Sequence, residues 1–407
     1  MQQPVSQPRE APALAPAPAT HDCPCCGGRM EVFFRVASVP VNSCILMQTQ
    51  AEALAYPRGD IELAVCDGCG FISNVAFEQV KAEYSARYEE TQGYSKTFRE
   101  FHARLAEALI DRYDIRDKDV LEIGCGKGEF LALLCRLGGN RGLGFDPGYD
   151  AGRGVLDELA DVRVIADFYS EAYSGHQADL VANKMTLEHI PEPADFIRLN
   201  RLAMRPDTPS LMYCQVPEAM RILRDCAFED IYYEHCSYFT AGSLARLLRR
   251  QGLELCDLRV EYAGQYLAAE ARLARGEPAQ ACVGEDDLEL IKAQAASFKA
   301  RCDQAIDRWR GILRDGAARG PVALWGSGSK AVAFLGAVDP DKLVSSVVDI
   351  NPYRQRHYMP GSGQPILAPG DLKANPPATV IIMNSVYREE ITSELAGLGL
   401  SPAIHAL

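Results

Sequence analysis

The segment Val120-Leu121-Glu122-Ile123-Gly124-Cys125-Gly126-Lys127-Gly128 constrains what this chain can fold into more than any other. Its first half reads as a strand, and the alternating glycines after it form a turn that side chains would obstruct. The apolar run from Glu129 to Leu137 then reads as a helix. A strand, a glycine turn and a helix in that order place free backbone amides at a helix N-terminus, where a nucleoside's polar tail or a pyrophosphate can approach. Units of this kind assemble into a parallel sheet covered by helices on both faces.

The flanking sequence agrees with that expectation. Apolar runs at 119–123, 141–145, 162–165, 179–182 and 210–215 alternate with helix-length segments, the pattern of a parallel α/β sheet. Residues 77–113 read as helix, amphipathic from Lys96 to Ile110, with tyrosines at 84, 88 and 94. A second unit follows a long polar helix expected from Asp286 to Asp315, with strands at Val322–Trp325, Val344–Asp349 and Thr379–Met383. Three to four parallel strands cannot close a barrel, so a small open sheet is expected there.

A chain of 407 residues exceeds what one hydrophobic core supports. The expected organisation is a disordered Pro/Ala-rich tail at 1–21, a cysteine module at 22–76, a nucleoside-binding α/β domain at 77–275 and a C-terminal Rossmann-like domain at 276–407. The formal net charge is −13 and the basic residues are scattered. That argues against a nucleic-acid partner and for a small-molecule substrate. No apolar run is long enough to span a bilayer, and the N-terminus lacks a secretory core.

Of fourteen cysteines, ten are dispersed through apolar or helical contexts, as in a reducing cytosol, so a cytoplasmic location is expected. The other four form two spaced pairs, Cys23 with Cys26 and Cys66 with Cys69, each followed by glycine. Two such knuckles can deliver four thiolates to a tetrahedral zinc ion, which would then be structural because no position remains for water. Cys25 is an alternative ligand to Cys26, and a redox dithiol is the rival reading.

Two acidic residues bear on which ligand the glycine turn holds. Glu122 precedes Gly124 by two residues, and Asp146 ends the next strand, twenty-two residues after Gly124. A carboxylate at that place can accept both hydroxyls of a ribose, in a dinucleotide or in S-adenosylmethionine (SAM). The form Glu122-x-Gly124-x-Gly126-x-Gly128 resembles the first motif of class I methyltransferases. Asp167-Phe168 resembles the acidic/apolar pair that holds the adenine, and Asp179-Leu180-Val181-Ala182-Asn183 resembles the fourth-strand motif at the cofactor's methionine end. The resemblance implies SAM as cofactor, with Gly128 and Asn183 among its contacts. A tight turn without a ligand is the alternative.

The run Tyr232-Tyr233-Glu234-His235-Cys236-Ser237-Tyr238-Phe239-Thr240 packs an acid, an imidazole and three phenols before a helix. A histidine there can remove a proton next to a carbonyl, with Glu or Tyr holding its tautomer or steadying an enolate oxygen. A helix cap filling a domain seam is the plainer alternative. Further on, Val322-Ala323-Leu324-Trp325-Gly326-Ser327-Gly328-Ser329-Lys330 offers amides, hydroxyls and an ammonium to phosphates without Walker spacing.

After residue 22 the knuckles, the SAM motifs, the Tyr-x-Glu-His run and the glycine-rich C-terminal unit occur in an order similar to that of the three-domain sugar C-methyltransferase family of deoxysugar biosynthesis. The resemblance implies a zinc module, a class I methyltransferase domain and a Rossmann-like C-terminal domain; a monomer or homodimer is expected. It implies a nucleoside-diphosphate-linked keto-deoxysugar, deprotonated and methylated on carbon. His235 would be the base, with Tyr232 and Glu234 beside it and His189 near a second family histidine. Tyr88 and Tyr94 would contact the substrate; Gly326, Ser327, Gly328, Ser329 and Lys330 would hold its diphosphate, near Asn384, Tyr387 and Arg388. O- or N-methylation of another natural-product intermediate is the alternative, and a zinc-knuckle RNA methyltransferase is a further one.

Overall fold

The computed structural model describes residues 21–82, 84, 85, 87–276 and 281–407. The expected tail lies outside them except for His21, which pairs with Met30. The chain opens with β1 (His21–Asp22), β2 (Arg29–Pro40), α1 (Gln50–Ala55), β3 (Arg58–Cys66) and β4 (Ile72–Asn74), of which the strands form an antiparallel sheet. The register that sets Met30 opposite Cys66 brings the β1–β2 and β3–β4 turns side by side. Each turn carries one cysteine pair.

Helix is expected from residue 77, but α2 (Lys96–Tyr113) begins only where Ser95 caps it by accepting from the Phe98 amide. Before it lies a single 3-10 turn at Gln79–Lys81. Tyr88 and Glu89 do not wind into helix because neighbouring elements use their backbone groups. Lys127 donates to the Tyr88 carbonyl at 3.0 Å, Glu89 donates from its amide to Cys44 at 3.0 Å, and Arg354 donates to the Glu89 carbonyl.

The central unit continues through β5 (Asp119–Ile123), α3 (Glu129–Gly138), β6 (Arg141–Phe145), β7 (Val162–Ile165), β8 (Leu180–Lys184), α4 (Pro193–Leu202), β9 (Leu211–Pro217) and α5 (Ala219–Asp225). It ends with β10 (Ser237–Tyr238), α6 (Ala241–Arg250), β11 (Leu253–Glu261) and β12 (Tyr266–Leu273). Its seven-stranded sheet has the order β11-β12-β9-β8-β5-β6-β7. The five expected strands are parallel; β12 runs antiparallel to β9 and β11 antiparallel to β12, a hairpin not anticipated from the alternation. Phe98, Leu105 and Leu109 of α2 and Phe130 and Leu134 of α3 share one core with Val120, Leu180 and Ala182. The winding direction changes at β5, which opens a crevice beyond its carboxyl end.

The C-terminal unit consists of α7 (Leu288–Arg319), β13 (Val322–Trp325), α8 (Ser329–Val338), β14 (Val344–Val348), β15 (Ile366–Leu367), β16 (Thr379–Ile382), α9 (Arg388–Gly397) and β17 (Ala403–Ala406). Its sheet has five parallel strands, β15-β14-β13-β16-β17, rather than three or four. The two additional strands are its edges, and β15 is only two residues long. β13 is again a point where the winding reverses.

The units interlock. β10 adds to the N-terminal sheet through β4, Phe298 of α7 packs against Phe34 with ring centres 5.1 Å apart, and Glu390 of α9 accepts from Ser95 and Thr97 at the start of α2. Among the described residues no helix is long and apolar enough to cross a membrane.

Candidate functional site

The carboxyl ends of β5 and β13 open onto one cavity of about 510 Å³. On the central side it is lined by Glu122, Gly124, Gly126, Asp146, Asp167 and Phe168. The turn needs its glycines: Gly124 and Gly126 have φ of +72° and +54°, and a Cβ on Gly124 would stand 2.2 Å from the Thr186 hydroxyl. Asp146 is held by the amides of Gly126 and Gly148 at 2.9 and 2.7 Å, so its carboxylate is fixed at the cavity wall. Gly128 caps α3 rather than lining the cavity. Asn183 is fully buried and donates to Asn200 at 2.9 Å, because strand alternation turns it away from the opening; the neighbour that lines the cavity is Lys184.

Tyr232, His235 and His189 reach the same cavity. Tyr232 Oη lies 2.9 Å from His235 Nε2, and the two imidazole centres are 4.8 Å apart. His189 Nδ1 lies 3.0 Å from the Glu234 carbonyl, which can only accept, so this nitrogen carries the hydrogen and Nε2 keeps its lone pair. Burial holds His235 well below the ordinary imidazole range and His189 down to about 4. Both are therefore neutral at physiological pH, as a base must be before it acts. Glu188, which the sequence reading passed over for its neighbour, lies 4.0 Å from His235 Nε2 with both carboxyl oxygens unpartnered among the described residues. Burial pushes it up to about 8.

Glu234 is not in the cavity wall. Its carboxyl oxygen accepts from the Ser43 amide and hydroxyl at 2.8 and 2.5 Å, and Ser43 Oγ bonds Ser329 Oγ at 2.7 Å. It pins the histidine segment to both flanking units instead of touching a ligand.

At the C-terminal end, Gly326, Gly328, Ser329, Lys330, Asn384 and Tyr387 line the cavity, and Tyr88 and Tyr94 line it from the segment before α2. Ser327 faces away, its amide and hydroxyl bound to Asp349 at 2.8 and 2.6 Å, and Arg388 lies outside as the first residue of α9. Lys330 Nζ sits 2.7 Å from Asp230, which also accepts from Arg221. Two cations on one carboxylate leave this trio with an excess positive charge toward the cavity. Arg221 and Asp230 carry no sequence motif, and only the fold brings them to Lys330.

Away from the cavity, the sulfurs of Cys23, Cys26, Cys66 and Cys69 converge within 4.8 Å of one another. Cys25 is not among them; the converging sulfur of its pair is that of Cys26. The Cys23–Cys69 and Cys26–Cys66 separations are 3.6 and 3.5 Å.

Residues 94–258 match the family described as "Methyltransferase domain", and residues 267–399 match "C-methyltransferase C-terminal domain". With the glycine turn at β5 and the seven-stranded order, the first match decides the class. The chain is a SAM-dependent methyltransferase with the class I Rossmann-like fold. Among characterised proteins, this methyltransferase is 26% identical over 307 residues to C-methyltransferase NovU of Streptomyces niveus, covering 71% of each chain. It is 23% identical over 195 residues to a ubiquinone biosynthesis O-methyltransferase of Neisseria meningitidis, covering 42% of this chain and 79% of that one. A solved structure, the 1,6-didemethyltoxoflavin-N1-methyltransferase of Burkholderia thailandensis, is 21% identical over 42% of this chain and 78% of that chain, with a TM-score of 0.34.

The glycine turn after β5 gives a direct expectation. Gly124→Val combines a left-handed φ that β-branched residues avoid with the contact to Thr186. S-adenosylhomocysteine affinity, measured by calorimetry, should fall by more than about 10-fold while far-UV circular dichroism stays unchanged. Unaltered affinity would remove this turn from the cofactor site.

Proposed function

We propose that this methyltransferase alkylates a carbon atom next to a carbonyl, in a keto-deoxysugar carried on a nucleoside diphosphate. One observation carries the reading. The glycine turn, two neutral histidines and the cationic Ser329-Lys330 end open into a single cavity. The NovU likeness and the match over residues 267–399 favour carbon over oxygen or nitrogen as the acceptor.

When bound, SAM supplies a methyl group on a positively charged sulfur; Glu122, Asp146 and the pair Asp167-Phe168 are the residues placed to hold it. Methylating carbon requires that a C–H bond first gives its electron pair to the adjacent carbonyl. His235 takes that proton, Tyr232 orients the ring through Nε2, and the Glu188 carboxylate stands opposite the imidazolium that forms. His189, with its tautomer fixed by Glu234, presents an acceptor to a neighbouring hydroxyl. The Asp230-Arg221-Lys330 trio and the amides after Gly326 receive the diphosphate.

The four sulfurs fit a structural zinc ion. Their separations approach the edge of about 3.8 Å expected for a tetrahedron with metal–sulfur bonds of about 2.3 Å. All four positions are filled by the protein, so the ion supports the fold rather than the reaction.

The test is solvent exchange. With S-adenosylhomocysteine bound, the enzyme should exchange the hydrogen beside the carbonyl of a nucleoside-diphosphate keto-deoxysugar in deuterium oxide, seen by NMR. Methylation of that sugar's oxygen with no exchange would overturn the carbon assignment.

A further inference from the structure

Glu188 and His189 sit side by side in the 3-10 turn Leu187–His189 that follows β8, and His235 reaches the same cavity from the segment before β10. The Ser237 hydroxyl donates to the Ile190 carbonyl at 2.7 Å and stitches the two segments together. Each of the three residues offers one ligand atom, and those atoms all lie within 4.8 Å of one another. Two imidazoles and a carboxylate facing an open cavity are a donor set for a first-row divalent cation.

The carboxylate carries the argument. Glu188 is 1% exposed, and neither of its oxygens has a hydrogen-bond partner among the described residues. No lysine or arginine among them pairs with it; the basic atom within ion-pair distance is His235 Nε2, at 4.0 Å. A buried carboxylate left without partners calls for a cation. His189 is oriented to share in holding one. Its Nδ1 is tied to the Glu234 carbonyl at 3.0 Å, which fixes the ring and leaves the Nε2 lone pair free, the usual support of a metal-binding histidine. Three protein donors leave positions open on the cavity side, so an ion there exchanges, unlike one enclosed by four sulfurs. Imidazole donors select zinc, cobalt or nickel over magnesium, which prefers oxygen.

We infer that Glu188, His189 and His235 form a metal site, separate from the sulfur cluster, that takes a divalent transition-metal cation. An ion bound there occupies the His235 lone pair that removes the substrate proton, so it inhibits methyl transfer. The inhibition rests on the reading of His235 as the base; the binding does not. Without the ion, the same carboxylate stands opposite the imidazolium.

Titration of the purified enzyme with cobalt(II), followed by absorption, tests the site. The wild type should bind one cobalt through nitrogen and oxygen, seen as weak visible bands without a sulfur-to-cobalt charge-transfer band. Glu188→Gln and His189→Ala should each weaken that binding by at least about 10-fold, with S-adenosylhomocysteine affinity showing that both variants are folded. Turnover should fall over the same range of cobalt concentration and return on chelation, while magnesium at equal concentration has no effect. Cobalt uptake confined to sulfur ligands, nitrogen-ligated uptake that survives both substitutions, or equal inhibition by magnesium would overturn the site. Cobalt held by these residues with turnover undiminished would instead overturn His235 as the base.

Discussion

His235→Ala should leave S-adenosylhomocysteine affinity within about twofold of wild type and lower methyl transfer by about 10²-fold or more, the usual cost of removing a general base. The separation follows from where the ring sits. Its side-chain hydrogen-bond partner among the described residues is Tyr232, which lies outside the glycine turn. Deuterium exchange into the substrate should fall in parallel, because that step precedes methylation. A variant that exchanges normally yet fails to methylate would show that His235 acts after the proton has left.

The pH dependence tests the partner of that base. Burial lowers His189 to about 4 and holds His235 well below the ordinary imidazole range, so an acid limb near the ordinary imidazole value is not expected. Glu188 titrates instead. As pH falls through about 8 its carboxylate takes up a proton, and the imidazolium formed on substrate deprotonation loses its counter-charge 4.0 Å away. Turnover should therefore decline from about pH 8 toward pH 6, and Glu188→Gln should flatten that limb at a lower overall rate. A limb that survives the substitution unchanged would dissociate Glu188 from the base.

What the sequence could and could not disclose follows from the range of the forces involved. The glycine turn, Asp146 and the parallel strands were legible because backbone conformation and strand-to-helix alternation are local properties. Cys26 and Cys25 could not be separated from spacing alone, since the choice depends on which sulfur the Met30–Cys66 register brings across the sheet. The motif points to Asn183 as a cofactor contact, but a shift of one residue reverses the face of a strand and puts Lys184 at the opening. The helix expected over 77–113 begins only at Lys96, because tertiary partners take backbone groups of Tyr88 and Glu89. Arg221 and Asp230 have no local signature at all, and Ser43 meets Glu234 across 191 positions of sequence.

Cys66→Ser is expected to have the second large effect, and one that reaches the catalytic segment. Structural zinc contributes about 10–16 kcal/mol in small thiolate domains, comparable to the whole stability of a typical fold. The proposed ion would join the two turns of the antiparallel sheet through four sulfurs, and removing one of them should weaken its register. The consequence extends beyond the module because β4 pairs with β10, where Ser237 and Tyr238 sit two and three residues after His235. The Ser73 hydroxyl and Asn74 amide both donate to the Cys236 carbonyl, at 3.0 and 2.9 Å, and Arg246 of α6 donates to the Cys69 carbonyl at 3.0 Å. Losing the metal should thus free the backbone on which the base is mounted. Purified wild type should carry about one zinc per chain by mass spectrometry and the variant almost none, with turnover reduced by about 10-fold or more and S-adenosylhomocysteine binding largely kept, since β5 and β6 lie in a different sheet. Full activity in wild-type protein stripped of metal by a chelator would show that the sulfur cluster and the histidine segment are mechanically independent.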